Sequence, residues 1–558
     1  MNEEFELEEW VPWLALFVTA LGGFLRVLMI GTKGLWLDET VSIWLAKQSV
    51  ADMLQWIVKI DPHPPLYYLL LHFWMTHYGD TPYYIRLLSA LFGTATIPVV
   101  YLIGKRISGE VVGLSAAVFF ALSTFNIYFA QEARMYTLLT FNAAMAIYAL
   151  SILITNPRSL LPMGGQFREY LRVWWTTEPV SQSGERDPRF VIELPKTGWR
   201  AWLYRIRQFS VHAIETDLAW AAFMIFSAAT LLTHNTAVLF PVAANTFVLG
   251  LMFFQRMKKN VPSRFVQAPS IGNWVKAQIG IFILWSPWLP AFIQQVRRVD
   301  QEFWLPKPDW NTITQTLRAL LNASAPTQAS QIMTWILCTV LILGLVYFRK
   351  DLSKFFFLAA LFVIPVLGEL IVSIHRPIFY GRTLIWITIP MVLLLAAGIA
   401  QLRFRFLIIL MLGLLSTNYL FSVGDYFRFT QKEDWKTAAG YVAYSAQKDD
   451  LVLFNSNFII IPFEYYFKPY EKLYLIQVDE RGVPFDLYSS GVLEPKMTTD
   501  DVPALVSLLD EYNRVWLVYS HNDYTDPDSL IPQTLALHMK LIQEKEFYGG
   551  KVLLYEKP

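Results

Sequence analysis

The sequence predicts a mainly α-helical, polytopic membrane protein that carries a C-terminal α/β domain outside the bilayer. Three observations predict it. Hydrophobic residues make up 54% of the chain and charged residues only 16%, where soluble domains average about 25% charged. Apolar runs long enough to cross a bilayer recur as far as residue 423. From Asp425 onward the runs shorten to strand length. A charge deficit of this size makes lipid, not water, the solvent for much of the surface.

A membrane helix needs about 20 mostly apolar residues, and roughly eleven segments meet that rule. They are 12–31, 85–103, 111–127, 136–154, 217–234, 237–254, 274–293, 332–348, 355–374, 383–400 and 406–423. The first run, Trp13 to Ile30, follows an acidic stretch from Met1 to Glu9. It lacks the basic flank of a cleaved signal and reads as an uncleaved anchor. Lys105/Arg106, Arg256/Lys258/Lys259/Arg264, Arg349/Lys350/Lys354 and Arg403/Arg405 all fall on one side of this count. The bias of basic connectors makes that side the cytoplasm. The loop 155–216 falls there too, but is too long to weigh on orientation. The expectation is a multi-pass protein of the cell (inner or plasma) membrane with a cytoplasmic N-terminus. Residues 32–84, 128–135, 294–331, 375–382 and the tail then face outward.

The chain therefore divides into a membrane module, 1–423, and an extracytoplasmic domain, 424–558. In the tail, strands are expected at Leu451–Phe454, Leu473–Ile476, Val515–Tyr519 and Val552–Tyr555. Helices are expected near Trp435–Ser445, Val502–Tyr512 and Thr534–Lys545, an α/β alternation. No glycine-rich phosphate loop offers a nucleotide site. Asp523, Asp526 and Asp528 do not follow the order of a calcium loop and read as a solvated turn. Asn322-Ala323-Ser324 is a glycosylation sequon in an outward loop. The single cysteine, Cys338, permits no disulfide within the chain. A net charge of +1 points to no nucleic-acid partner.

The unusual polar residues concentrate in the outward segments. Asp38 and Glu39 put two carboxylates just past the first span, where one can serve as a general base. Adjacent side chains diverge, so one site uses only one of them directly. Asp38 as the N-cap of a helix over Glu39–Ala46 is the competing reading. Arg26 and Lys33 lie close in sequence and are expected to balance the charge. In Asp61-Pro62-His63-Pro64-Pro65-Leu66-Tyr67-Tyr68, three prolines stiffen the backbone around His63. Pro65 suits the first turn of a following helix, whose N-terminus favours phosphate; a rigid surface turn is the alternative.

In Gln131-Glu132-Ala133-Arg134-Met135-Tyr136, a helical path puts Glu132 and Tyr136 on one face and Arg134 on another. Charges at this depth are expensive. They either form a site, with Arg134 on phosphate, or pin two spans together. Arg376 and Arg382 lie outward against the usual bias, which a bound phosphate explains; lipid headgroups explain it as well. His234 and Asn235 occupy another outward turn. Phe303-Trp304-Leu305-Pro306 is an interfacial anchor or part of an acceptor groove. No zinc motif and no serine-nucleophile elbow is present. The spans carry no series of charges, which disfavours a transporter. A flippase or transporter of lipid-linked sugars and a non-catalytic receptor or scaffold are the alternatives to an enzyme. Convergence of Asp38, His63, Glu132 and Arg382 on one outward cavity discriminates between them.

Taken together, these residues resemble glycosyltransferase family 39, the group of the protein O-mannosyltransferases and the bacterial aminoarabinose transferase. The resemblance rests on Leu35-Trp36-Leu37-Asp38-Glu39, Asp61-x-His63-Pro64-Pro65-Leu66, Arg86-Leu87-Leu88-Ser89-Ala90-Leu91-Phe92-Gly93 and Gln131-Glu132-Ala133-Arg134-Met135-Tyr136. It covers roughly residues 10–420. It implies a membrane fold of the GT-C type, with amphipathic helices in the first outward loop. It implies an inverting enzyme that takes a hexosyl or pentosyl group from a polyprenyl-phosphate-sugar donor and needs no metal or other cofactor. Asp38 matches the family's catalytic aspartate, with Glu39 or Glu132 positioning the acceptor. Arg382, Arg376, Arg134 and His63 are assigned to the donor phosphate. Asp61, Tyr67, Tyr136 and His234 are assigned to substrate positioning. The lectin-like domain of the protein mannosyltransferases is absent and not all of their substrate-defining residues are recognisable. The acceptor therefore stays open among glycan, lipid and protein.

Overall fold

The computed structural model describes residues 2–155, 213–257, 268–299, 307–322, 328–402, 404–484 and 494–558. The expected cytoplasmic loop falls almost wholly outside them, as do Lys258, Lys259, Arg264, Arg403, Phe303–Pro306 and the last two residues of the sequon.

The chain opens with α1 (Asn2–Val27), followed by three shorter helices, α2 (Leu37–Lys47), α3 (Val50–Ile60) and α4 (Leu66–Tyr78). Then come α5 (Pro82–Ser108), α6 (Glu110–Leu122), α7 (Thr124–Ala130) and α8 (Tyr136–Thr155). Helices Ala213–Leu231, Leu239–Met257, Ile271–Trp285, Leu289–Val299, Trp310–Leu320, Gln328–Tyr347, Leu352–Ser373, Thr388–Ala400 and Arg405–Phe429 continue the bundle. Every expected span falls on a helix. Among the described residues, however, only eight are long and apolar enough to cross a membrane, or nine if α6 and α7 are one bent span. The remaining two, Thr216–Leu231 and Ile385–Ala400, are apolar but shorter. The second is buried from Thr383 to Ile399, so its apolarity answers to protein neighbours as much as to lipid. Composition alone does not separate these two causes.

α6 and α7 meet at 56°, and the bend strands carbonyls at the end of α6. Such groups need partners where water is scarce. Arg26, fully buried in α1, supplies them. It donates to Ala121 O at 3.1 Å and Phe120 O at 3.2 Å, and to Gly22 O in its own helix at 2.9 Å. A cation at a helix C-terminus also suits the helix dipole. Lys33 donates to Tyr426 O at 3.2 Å and lies 4.0 Å from that tyrosine's ring. Neither residue therefore takes the expected role of counter-charge to Asp38 and Glu39.

Helices Gln328–Tyr347 and Thr388–Ala400 touch backbone to backbone. A Cβ on Gly344 would stand 2.0 Å from Leu394 O, and one on Gly398 would stand 2.0 Å from Val340 O. Small residues permit this approach between membrane helices.

The last apolar helix runs to Phe429, past the expected boundary at 423, and a small sheet domain begins with helix Trp435–Ser445. Its strands are β1 (Leu451–Phe454), β2 (Asp479–Gly482), β3 (Arg514–Tyr519), β4 (Lys540–Phe547) and β5 (Gly550–Glu556). Their order is β2-β1-β3-β5-β4. β1 pairs in parallel with β2 and β3, and β5 is antiparallel to β3 and β4. Alternate side chains serve opposite faces. Val452, Phe454, Trp516, Val518, Val552 and Leu554 pack under helices Trp435–Ser445 and Asn457–Tyr474. Leu451, Leu453, Val515, Leu517, Leu553 and Tyr555 pack under Val502–Leu509 and Leu530–His538.

Two expectations fail here. Leu473–Ile476 is not a strand: helix Asn457–Tyr474 runs through it, stops at Leu475 with φ 55, and leaves Leu475 almost fully exposed. The strand at that edge is the polar Asp479–Gly482. The expected helix Thr534–Lys545 ends at His538, and Lys540–Phe547 is an edge strand exposed over nearly its whole length. Edge strands bury little, so their sequence carries no apolar alternation to read.

The helix contact generates a prediction. Gly398→Ala drives a methyl group into Val340 O and should destabilise the bundle by about 1–3 kcal/mol, seen as a lower melting temperature in detergent. Gly413→Ala, whose added Cβ meets nothing within 4 Å, should leave melting unchanged.

Candidate active site

Asp38 and Glu39 lie in the first turn of α2, whose N-cap is Trp36. Asp38 is therefore inside the helix and does not cap it. Successive helical residues diverge by about 100°, and here they enter two different networks.

Asp38 faces arginines from distant parts of the chain. Its Oδ2 accepts from Arg382 at 2.8 Å and lies 3.9 Å from Arg134 Nε. Arg134 also donates to Asp38 O (3.3 Å), Ser42 Oγ (3.2 Å) and Tyr68 Oη (3.4 Å). The side chains of Asp38 and Arg382 keep 14% and 18% of their surface, whereas Arg134 is buried behind them at 3%. Burial raises the Asp38 carboxyl, but Arg134, Arg382 and His63 outweigh it and hold it below its ordinary value.

The proline-stiffened turn is fixed from within and without. Asp61 Oδ1 accepts from the His63 backbone N–H (2.8 Å) and faces His63 Nδ1 (2.5 Å), and its Oδ2 accepts from Tyr68 (2.8 Å). Gln295 donates to Asp61 O (2.8 Å) and His63 O (3.3 Å), and Asn235 donates to Pro62 O (2.6 Å). Burial raises the Asp61 carboxyl, yet the charge and hydrogen bond of His63, with Arg134, pull it well below the carboxylate range.

The His63 ring meets His234 edge-on at 4.9 Å, and His234 lies 6.2 Å from the Tyr136 ring. The Arg382 guanidinium stands 5.8 Å from the Tyr136 ring and 4.9 Å from that of Tyr380. Burial, then His63 and the two arginines, push His234 well below its usual pKa, so its ring is neutral. Its Nδ1 accepts the Thr236 backbone N–H at 3.2 Å, which places the ring proton on Nε2.

Glu39 turns the other way and is fully buried. Arg86 grips it with two hydrogen bonds, of 2.7 and 2.6 Å, and the Ala133 N–H adds a third at 2.9 Å. Lys432 Nζ lies 3.1 Å from Glu39 Oε2 and 3.3 Å from Glu132 Oε1. Burial raises Glu39, but Arg86 and Lys432 bring it below its ordinary value. Glu132 moves the other way: burial raises it, and Glu39 and Asp38 add to that against Lys432.

Asp38, Asp61, His63, Arg134, Tyr136, His234 and Arg382 thus converge at one end of the bundle. Glu39 and Glu132 sit beside this group in a closed ion cluster. Tyr67 is buried, sharing its hydroxyl with Ser89 (3.1 Å), and Arg376 lies against Val296 O (3.5 Å). Sequence reasoning missed Tyr68, Gln295, Lys432 and Glu369. Tyr68 belongs to the same proline-rich motif and directly follows Tyr67. Glu369 accepts from Thr383 at 2.8 Å and so anchors the turn that carries Arg382; a single carboxylate within an apolar helix was its one signal. Lys432 lies in a polar stretch beyond the last span and gave none. Among the described residues, no group of three or more His, Cys, Asp or Glu is arranged to hold a metal.

The family model of dolichyl-phosphate-mannose-protein mannosyltransferases matches residues 62–165. No curated protein sequence matches the chain. ArnT from Cupriavidus metallidurans in the apo state superposes with a TM-score of 0.57 at 11% identity, over 98% of each chain. The same protein bound to undecaprenyl phosphate gives 0.52 at 11% identity, again over 98% of each. The Archaeoglobus fulgidus oligosaccharyltransferase in complex with zinc and sulfate gives 0.50 at 10% identity, over 98% of this chain and 73% of that one. The proteins it matches are glycosyltransferases. This chain is accordingly a multi-pass membrane protein of the GT-C fold with a small C-terminal sheet domain, and its residues 62–165 match the dolichyl-phosphate-mannose-protein mannosyltransferase family.

Proposed function

We propose that this protein is an inverting glycosyltransferase that moves a sugar from a polyprenyl-phosphate-linked donor to an acceptor hydroxyl. The observation that carries the reading is the partly exposed Asp38 carboxylate between Arg382, at 2.8 Å, and Arg134, at 3.9 Å. A transporter has no need of a base so placed, and a scaffold has no need of its ionised partners. The lipid phosphate seen on ArnT and the family match beginning at the proline turn support the same class of donor.

In this reading the acceptor oxygen attacks the anomeric carbon on the face opposite the phosphate. The bond from that carbon to the phosphate oxygen breaks, and the electron pair stays with the phosphate. The hydroxyl proton passes to Asp38. Arg382 meets the donor phosphate on binding, and as Asp38 becomes neutral its hold on the guanidinium weakens, which leaves Arg382 to the phosphate as charge develops there. Arg134 and His63 contribute to the same field, with Arg376 at the rim. Asp61 orients His63, and Tyr136 and neutral His234 line the sugar's side. Glu39, being fully buried, acts through the Ala133 backbone it holds, Glu132 through Lys432, and Tyr67 through Ser89. No metal or organic cofactor is assigned a role. The membrane module 1–423 carries the chemistry. The domain 424–558 and the site lie on the extracytoplasmic face of the cell membrane, with the N-terminus in the cytoplasm. The acceptor is a glycan, a lipid or a protein reaching that face.

Asp38→Asn should lower turnover by about 10²–10⁴-fold, the usual contribution of a base, at nearly unchanged donor affinity. Turnover within a few-fold of wild type would remove Asp38 from the role. Arg382→Ala should weaken donor binding by about ten- to a hundredfold, as expected for a lost charge-assisted hydrogen bond; unchanged affinity would end the phosphate assignment. Losing that cation also raises the Asp38 pKa, so the acid limb of the rate profile should move to higher pH. A limb that stays in place, or moves down, would show that Asp38 is not the titrating group.

A further inference from the structure

The C-terminal domain reaches into the membrane module at the helix that carries Asp38. Trp36 caps α2 with no side-chain hydrogen bond, so the first N–H groups of the helix need a partner from elsewhere. Glu433 provides one: its Oε2 accepts the Leu37 N–H at 3.1 Å and the Trp435 indole N–H at 2.6 Å. A carboxylate there also suits the positive end of the helix. The preceding residue, Lys432, is buried between Glu39 and Glu132. Glu39 and the free N–H at the start of α2 are therefore answered by two consecutive residues from beyond the last span.

The sheet domain holds this dipeptide firmly. Asp434 N donates to Tyr548 O at 2.9 Å. Glu433 packs on Gly549 so closely that a Cβ there would lie 2.7 Å from its Cγ, and φ at Gly549 is +99°. His521 Nε2, at the end of β3, lies 3.2 Å from Glu433 Oε1. Tyr466, from helix Asn457–Tyr474, accepts the Leu35 N–H at 2.7 Å, and Leu37 is buried in the same apolar cluster as Trp435 and Phe454.

We infer that the C-terminal domain is a built-in positioning element of the site, with Lys432 and Glu433 as the residues through which it sets the start of α2 and hence Asp38. The inference rests on reading Asp38 as the reacting carboxylate. Neither residue needs to touch substrate; both act through α2.

The test uses the full-length protein in detergent micelles, with an undecaprenyl-phosphate-linked sugar as donor probe. In Glu433→Ala, amide hydrogen exchange over residues 36–41 should quicken about five- to tenfold, as for a lost helix cap. Turnover should fall at least tenfold with the donor KM within twofold of wild type. Glu433→Gln, whose amide oxygen still accepts the Leu37 N–H, should recover most of both. Lys432→Met should behave like Glu433→Ala, and Lys432→Arg should restore activity and slow exchange. Wild-type exchange in both Glu433→Ala and Lys432→Met overturns the inference, whatever their activity. Faster exchange with unaltered turnover also overturns it, because α2 would then be anchored without mattering to the chemistry. A wild-type protein that transfers no sugar defeats the reading of Asp38 instead, and the exchange measurement then decides the anchoring alone.

Discussion

The buried ion pair between Glu39 and Arg86 is the interaction on which the site depends. Arg86, near the start of a membrane helix, spends two hydrogen bonds on Glu39 and others on the carbonyls of Ile30, Lys33 and Gly34. It thereby closes the turn between α1 and α2 and ties the first turn of α2 to the start of α5. Burying two charges is costly, and such a pair adds little net stability compared with apolar residues. Removing one partner is another matter, at about 3–5 kcal/mol, because an unpaired charge is left behind. The pair accordingly specifies a geometry more than it strengthens the fold.

That geometry divides labour between two adjacent carboxylates. Glu39 is fully buried among Arg86, Lys432 and the Ala133 N–H. Asp38, one position away, keeps part of its surface open and meets its arginines from one side only. The difference arises from helical rotation, which aims one acid into the protein and the other toward the end of the bundle. Each arginine of the Asp38 group comes from a different stretch of chain, and each stretch is pinned by its own contacts. Arg134 follows Ala133, whose N–H is held by Glu39. Arg382 precedes Thr383, which is held by Glu369. The cations are therefore preorganised, so little reorganisation is needed when charge develops nearby.

The polar interior also explains the irregular parts of the bundle. A bent span, short apolar helices and a proline-rich turn all leave backbone groups without helical partners. In lipid those groups would be costly, and here side chains satisfy them: Arg26 at the bend, and Gln295 and Asn235 at the turn. The sheet domain joins the same scheme through the segment that leads into it, with Lys432 in the cluster and Glu433 on the start of α2.

Local composition marks the chain as a membrane protein and shows where its apolar helices lie and which short polar motifs stand out at their ends. These properties follow from local composition, since lipid demands long apolar runs and tolerates charge only at a few places. It also marked Asp38, His63, Arg134, His234 and Arg382, because charged or stiffened residues beside a span are conspicuous. Which cation meets which acid follows from the folded arrangement alone. Arg26 and Lys33 lie close to Asp38 and Glu39 in sequence yet turn to backbone carbonyls, while Arg86, Arg134, Arg382 and Lys432 arrive from far away. The polar edge strands β2 and β4 were likewise illegible, because a strand that buries little is defined by its neighbour and not by its own side chains. Pairing between distant charges depends on how helices cross, and crossing depends on contacts such as Gly344 with Leu394 and Gly398 with Val340 that no local pattern encodes.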